Sequence, residues 1–174
     1  MSRLTIPQLN RRCFGIGAVI IAGLLGFSAY QQFVLGLDPC PLCVFQRLAF
    51  AVIGLVCLVA VAHAPRAPFG MVYGLLVAVS AGVGAGIAGR HVWLQHLPAD
   101  QVPACGPGLD YMLEVFPLTE AIRMVLGGSG ECAEVQWQFL GLGIPAWALV
   151  WFVLLGLGAL GWTWFLWRNR TGGA

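Results

Sequence analysis

The sequence predicts an all-α membrane protein: a bundle of four transmembrane helices with two outer loops, the second long and carrying a short amphipathic helix. Three observations point there. Hydrophobic residues make up 59% of the 174 positions and charged residues 9%, with a mean hydropathy of +0.85. A soluble domain carries about 25% charged residues, so this chain has too few polar groups to cover a water-exposed surface. Four stretches, roughly 13–35, 44–62, 69–88 and 144–165, match the length of about 20 apolar residues that crosses a hydrocarbon core. Finally, the basic residues concentrate in the segments that four spans would place on one side.

Each span is a continuous apolar run rather than an alternating one, so helices and not barrel strands satisfy the backbone in lipid. The first, 13–35, follows Arg11 and Arg12. A charged end before an apolar run also suits a secretory signal, and Asn10-Arg11-Arg12-Cys13-Phe14 hints at a twin-arginine one. The run is too long for an h-region and no A-x-A site follows, so a retained helix is expected. Asp38-Pro39-Cys40-Pro41, in the outer loop 36–43, stops that helix and restarts the chain. The second span, 44–62, ends at the proline-bounded turn His63-Ala64-Pro65-Arg66-Ala67-Pro68.

In the third span, 69–88, Gly84-Ala85-Gly86-Ile87-Ala88-Gly89 matches the dinucleotide pattern GxGxxG. That pattern needs a preceding strand in a soluble βαβ unit. Gly82 and Gly86 also form GxxxG, which predicts a close helix-packing face. The outer loop 90–143 holds most of the polar groups. Within it Leu109, Met112, Leu113 and Phe116 recur at helical spacing, and apolar positions continue through 118–126. This reads as a short amphipathic segment on the bilayer surface, or as a loop helix covering the bundle. Gly127-Gly128-Ser129-Gly130 then supplies a hinge. The fourth span, 144–165, completes one membrane domain over 1–174.

The chain has no lysine. Arg3, Arg11, Arg12, Arg66, Arg168 and Arg170 are six of nine basic residues and fall on one side. That side is expected to be the cytoplasm, with both termini there. All seven acidic residues fall on the other. Trp162, Trp164 and Trp167 suit one interfacial belt, and Trp93 and Trp147 the other.

Four of the six cysteines, Cys40, Cys43, Cys105 and Cys132, lie in the outer loops, where disulfides persist. Cys13 and Cys57 lie within spans and read as small packing residues. For the outer four, three readings compete. One is a structural disulfide framework. Another is a zinc site, for which Cys40-Pro41-Leu42-Cys43 supplies two ligands but the second pair lacks a matching close spacing. The third is a redox relay. A bridge across the CxxC closes too small a ring to stabilise much chain, whereas one between Cys105 and Cys132 would contribute roughly 3–4 kcal/mol in the chain-entropy model.

Thiol exchange requires a thiolate. Cys43 falls in the first turn of the second span, where free N–H groups and the helix dipole favour an anion. Arg47 follows one turn later on the same face, and its guanidinium stays charged in nearly any environment. The alternative is a helix-end arginine snorkelling to the interface, but its place one turn from the CxxC favours the functional role. Cys40, between two prolines, is expected to be the more exposed thiol.

Pro39-Cys40-Pro41-Leu42-Cys43 with Gln46-Arg47 resembles the DsbB family of quinone-dependent thiol oxidases. The likeness extends through His91, Leu94-Gln95, Cys105 and Ser129-Gly130-Glu131-Cys132-Ala133-Glu134. It continues in Gln136-Trp137, Phe139-Leu140-Gly141-Leu142 and Pro145-Ala146-Trp147. The resemblance implies a bacterial inner-membrane enzyme with periplasmic cysteine loops, part of the relay that keeps the periplasm oxidising. On that basis Cys105 accepts attack from a reduced DsbA-like dithiol oxidase through a mixed disulfide. Cys132 is then freed to exchange with Cys40, and Cys43 passes electrons to a quinone, ubiquinone or menaquinone. Arg47 and His91, with Cys43, are the implied quinone-binding residues. Gln46 stands where some relatives carry an acidic residue, so no proton-transfer role carries over. No metal and no nucleic acid partner is implied. Rival readings are a four-helix protein with purely structural bridges and a thiol oxidoreductase of the vitamin K epoxide reductase type.

Overall fold

The computed structural model describes residues 5–98, 100–104 and 109–171. Four long helices carry the fold: α1 (Ile6–Phe33), α2 (Pro41–His63), α3 (Ala67–Gln95) and α6 (Ile144–Thr171). All four are long and apolar enough to cross a membrane. Between α3 and α6 lie α4 (Leu109–Val115), α5 (Leu118–Gly127), a 3-10 turn (Gly130–Ala133) and a hairpin of β1 (Gln138–Phe139) with β2 (Leu142–Gly143). The loop thus holds two short helices where the apolar pattern suggested one. Pro117 caps the second, and a proline cannot donate the hydrogen bond that would continue the first.

Lipid tails are as apolar as leucine, so helix association in a membrane rests on close packing and on polar contacts. The buried face of α3 is Gly70, Gly74, Val77, Ala81, Gly84, Ala88, His91 and Leu94. Steps of three and four keep these residues in one seam. Its small members let α6 approach: a Cβ on Gly84 would overlap the Phe152 ring, and one on Gly74 would overlap Thr163. Phe152 in turn stacks on Phe50 of α2, with centroids 4.0 Å apart and planes 7° from parallel. Phe50, Ile53, Cys57 and Ala60 continue the core on α2, joined by Phe14 and Ile21 of α1. Cys57 is buried, with its sulfur against Gly17, as a packing residue should be.

The expected Gly82–Gly86 pair is not the packing face. A Cβ at either position would meet nothing within 4 Å. The two glycines lie off the seam that runs through Ala81, Gly84 and Ala88.

A polar anchor sits at the opposite end of the bundle from the CxxC. Asn10 is fully buried; its amide nitrogen donates to the Pro65 carbonyl at 2.8 Å, and Trp162 Nε1 donates to its oxygen at 2.9 Å. One asparagine thereby ties α1, the α2–α3 turn and α6 together, with its own polar atoms satisfied. His63 and His96 remain exposed, the first bonded to the Tyr73 hydroxyl and the second to the Val92 carbonyl.

The seam makes a direct test. Gly84→Ala should destabilise the bundle by about 1–3 kcal/mol through overpacking, whereas Gly86→Ala should be neutral or slightly stabilising. Unfolding of the purified protein in mixed detergent micelles measures both. Equal effects at the two positions would contradict the assigned packing face.

Candidate functional site

The α3 seam ends on His91 and Leu94, and the α2 seam begins with Leu42 and Gln46. Both therefore point polar residues into the bundle at the cysteine end. Cys40 caps α2 with extended backbone angles, Pro41 opens the helix, and Cys43 is its third residue. Pro suits the first helical position because its missing N–H would have had no partner there. This geometry turns both sulfurs inward, and they stand 3.1 Å apart as free thiols.

His91 faces both of them. Its Nε2 is 3.7 Å from Cys40 Sγ, and its Nδ1 is 4.0 Å from Cys43 Sγ. Gln46 is buried, and its amide nitrogen donates to Nδ1 at 3.0 Å. An amide NH2 group only donates, so Nδ1 accepts and the ring proton sits on Nε2, facing Cys40. Cys132 completes the cluster: its sulfur, Cys40 Sγ and a His91 ring nitrogen all lie within 4.8 Å of one another. A tetrahedral zinc with bonds of about 2.3 Å would need its sulfurs about 3.8 Å apart, wider than the CxxC pair stands.

The 3-10 turn delivers Cys132, and α4 and α5 cover it. Met112, Ala121 and Val125 pack with Leu42, Leu94, Cys40 and Cys132 in one apolar cluster. The amphipathic segment thus lies on the bundle over the cysteines. The glycine-rich stretch after α5 is anchored as well: Arg90 donates to the Leu126 and Gly127 carbonyls, and Gly128, at φ +84°, packs against Leu94.

Cys40 is therefore not the more exposed thiol. It is 8% exposed, whereas Cys43 is half-buried. The flanking prolines do keep Cys40 out of regular helix, but the tertiary cover laid down by the second loop hides it. Cys105 lies outside the described residues, so its sulfur has no stated position.

On its other side Cys43 borders a cavity of about 280 Å³ between α1, α2, α6 and the hairpin. Phe27, Phe50, Trp137, Phe139, Trp147 and Trp151 supply aromatic walls. Arg47, Gln46 and Gln31 add polar groups to the lining. Arg47 gives its donors to α1, to the Gln32 side chain and the Ser28 carbonyl, and shares the cavity wall with Cys43. The hairpin is held by Trp147 Nε1, which donates to the Phe139 carbonyl at 3.1 Å. His91 is not part of this lining; it stands among the sulfurs.

Two residues of the site carried no role in the sequence reading. Gln46 and Gln31 are uncharged amides in apolar helices, and the signal that could have found them is polarity at a seam position.

A family model described as disulfide bond formation protein DsbB matches residues 10–162. Relatives carrying the name Disulfide bond formation protein B include one from Nitrosococcus oceani. It is 55% identical over 164 residues, covering 94% of this chain and 94% of the relative. The one from Marinobacter nauticus is 55% identical over 146 residues, covering 84% and 87%. That of Hahella chejuensis is 56% identical over 144 residues, covering 83% and 87%.

The Cys132 thiol is pushed well above the ordinary range, first because it faces the Cys40 sulfur and second by burial; the N–H groups of Ser129 and Leu42 oppose this more weakly. A raised value means that the protonated thiol favours the docked loop. That contribution is complete below the ordinary thiol value of about 8.5 and is lost as pH climbs toward the shifted one. In reduced protein, alkylation of Cys132 by iodoacetamide should keep rising, about tenfold per pH unit, beyond pH 9. In dodecyl sulfate it should level off near the ordinary value. Peptide mass spectrometry reads both; a native plateau at or below the denatured one would refute the shift.

Proposed function

Because this chain belongs to the DsbB family of disulfide bond formation proteins, we propose that it carries electrons from a periplasmic dithiol protein to a membrane quinone, ubiquinone or menaquinone. Membership makes it a four-helix membrane thiol oxidase. The finer reading rests on one observation: Cys43 stands at the boundary between a cluster of sulfurs and an apolar cavity.

The cavity suits a flat, apolar acceptor. Its volume of about 280 Å³ is close to the lower end of small-molecule pockets, and its lining is mostly apolar, with six aromatic side chains and a few polar groups. When bound, a quinone supplies a two-electron, two-proton acceptor. The chain's own residues do the rest. Cys105 takes the attack of a DsbA-like thiolate, breaking its bond to Cys132 and forming a mixed disulfide; the partner's second thiol resolves it. Cys132 then attacks Cys40, breaking the Cys40–Cys43 bond and releasing Cys43 as thiolate. Cys105, freed when the mixed disulfide is resolved, then attacks Cys132, breaking the Cys132–Cys40 bond and restoring the Cys105–Cys132 bond. Cys40 and Cys43 are left both reduced. This dithiol gives two electrons to the acceptor and re-forms the Cys40–Cys43 bond, with its two protons passing to the acceptor oxygens.

His91 supports this sequence from a position that does not need contact with the acceptor. Its Nε2–H, aimed by Gln46, donates to whichever charge gathers on the Cys40 sulfur. Arg47, fixed by its bonds to α1, holds a positive charge on the wall shared with Cys43. The reading also sets topology: the cysteine end faces the periplasm, and both termini face the cytoplasm of a bacterial inner membrane.

Quinone reduction by detergent-solubilised protein supplied with a reduced dithiol partner tests the relay. Cys43→Ser, Cys105→Ser and Cys132→Ser should each fall to background, while Cys57→Ser should turn over normally. Normal turnover by either Cys43→Ser or Cys105→Ser would sink the relay.

A further inference from the structure

Gln31 lies in the last turn of α1 and is only 3% exposed. It lines the cavity, and its amide nitrogen makes no hydrogen bond. Among the described residues this is the one buried side-chain nitrogen or oxygen without a partner. Its neighbour Gln32 is engaged by Arg47, and buried Asn10, Gln46 and His91 are all bonded. A buried donor left unmade is costly, and an apolar residue of similar size would avoid that cost. In a membrane helix such a residue marks a site. Leu24, Phe27, Phe50 and Trp151 of the lining offer no acceptor, and the acceptor oxygens of Asp38, Gln46 and Gln136, which share it, make no bond with the Gln31 amide nitrogen.

We infer that Gln31 is a ligand-binding residue whose Nε2–H donates to a ring carbonyl oxygen of the acceptor in the cavity. The inference rests on the quinone reading above and deepens it. Cys43 and Gln31 both border the same space, so one flat ring can meet the thiol and give an oxygen to the amide. The bond selects for a ring bearing an acceptor oxygen over a hydrocarbon of the same outline, because only the former satisfies the donor.

The test compares full-length wild type with Gln31→Leu and Gln31→Met, purified in one detergent and stripped of quinone. Equilibrium dialysis measures binding of menadione and of 2-methylnaphthalene, which has the same outline without the two carbonyl oxygens. Both variants should bind menadione about tenfold more weakly, equivalent to about 1.4 kcal/mol, and 2-methylnaphthalene as wild type does. Their melting temperatures without quinone should equal or exceed that of wild type, since an unpaired buried donor is gone. Unchanged menadione affinity in both variants, with saturable binding to wild type, would overturn the role of Gln31 alone. Absence of saturable menadione binding to wild type would overturn the quinone reading together with it. A lower melting temperature in both variants would assign Gln31 to structure instead.

Discussion

Close approach of α3 to α6 is the constraint on which the rest of the structure depends. In lipid the two helices gain little from burying apolar area, so they need backbone proximity, and Gly70, Gly74, Ala81, Gly84 and Ala88 permit it. The same seam, carried two steps further, sets His91 and Leu94 against the cysteine end. A shift in helix register would carry His91 off its position beside Cys40 and Cys43. Packing near the middle of the bundle thereby determines chemistry at its edge.

The cysteine end has two faces that share Cys43. One is a set of sulfurs, Cys40 and Cys132 with His91 between α2 and α3, closed over by α5 and the 3-10 turn. The other is the aromatic cavity between α1, α2, α6 and the hairpin. Cover over Cys40 limits its exchange to partners already inside the fold, and Cys132 is the one delivered there. Cys43 borders that cavity as well as the sulfurs. Under the proposed function, this separation would let a water-soluble dithiol and a lipid-soluble acceptor act through one chain without meeting.

Polar side chains inside the bundle perform three different tasks. Asn10 is fully bonded and fastens the end remote from the cysteines. Gln46 is bonded to His91 and sets which ring nitrogen carries the proton. Gln31 has an amide nitrogen unpaired at the cavity. Burial is similar in the three cases, and the hydrogen-bond partner distinguishes them.

Much was legible without coordinates. Apolar runs long enough to cross a bilayer announce the four helices, because lipid leaves the backbone no alternative. Proline on both sides of Cys40 announces a helix start at the CxxC, because its ring is tolerated only in the first turn. What remained hidden depends on contacts between segments far apart in sequence. The exposure of Cys40 is not legible locally because its cover comes from residues about seventy to ninety positions later. Gly82 and Gly86 matched a packing motif, yet the facing ring of Phe152 selects Gly84. The local sequence determined where helices begin, end and cross lipid, since those depend on hydropathy and backbone chemistry. Only the tertiary structure decided which faces meet, and so which polar side chains are paired and which sulfur is shielded.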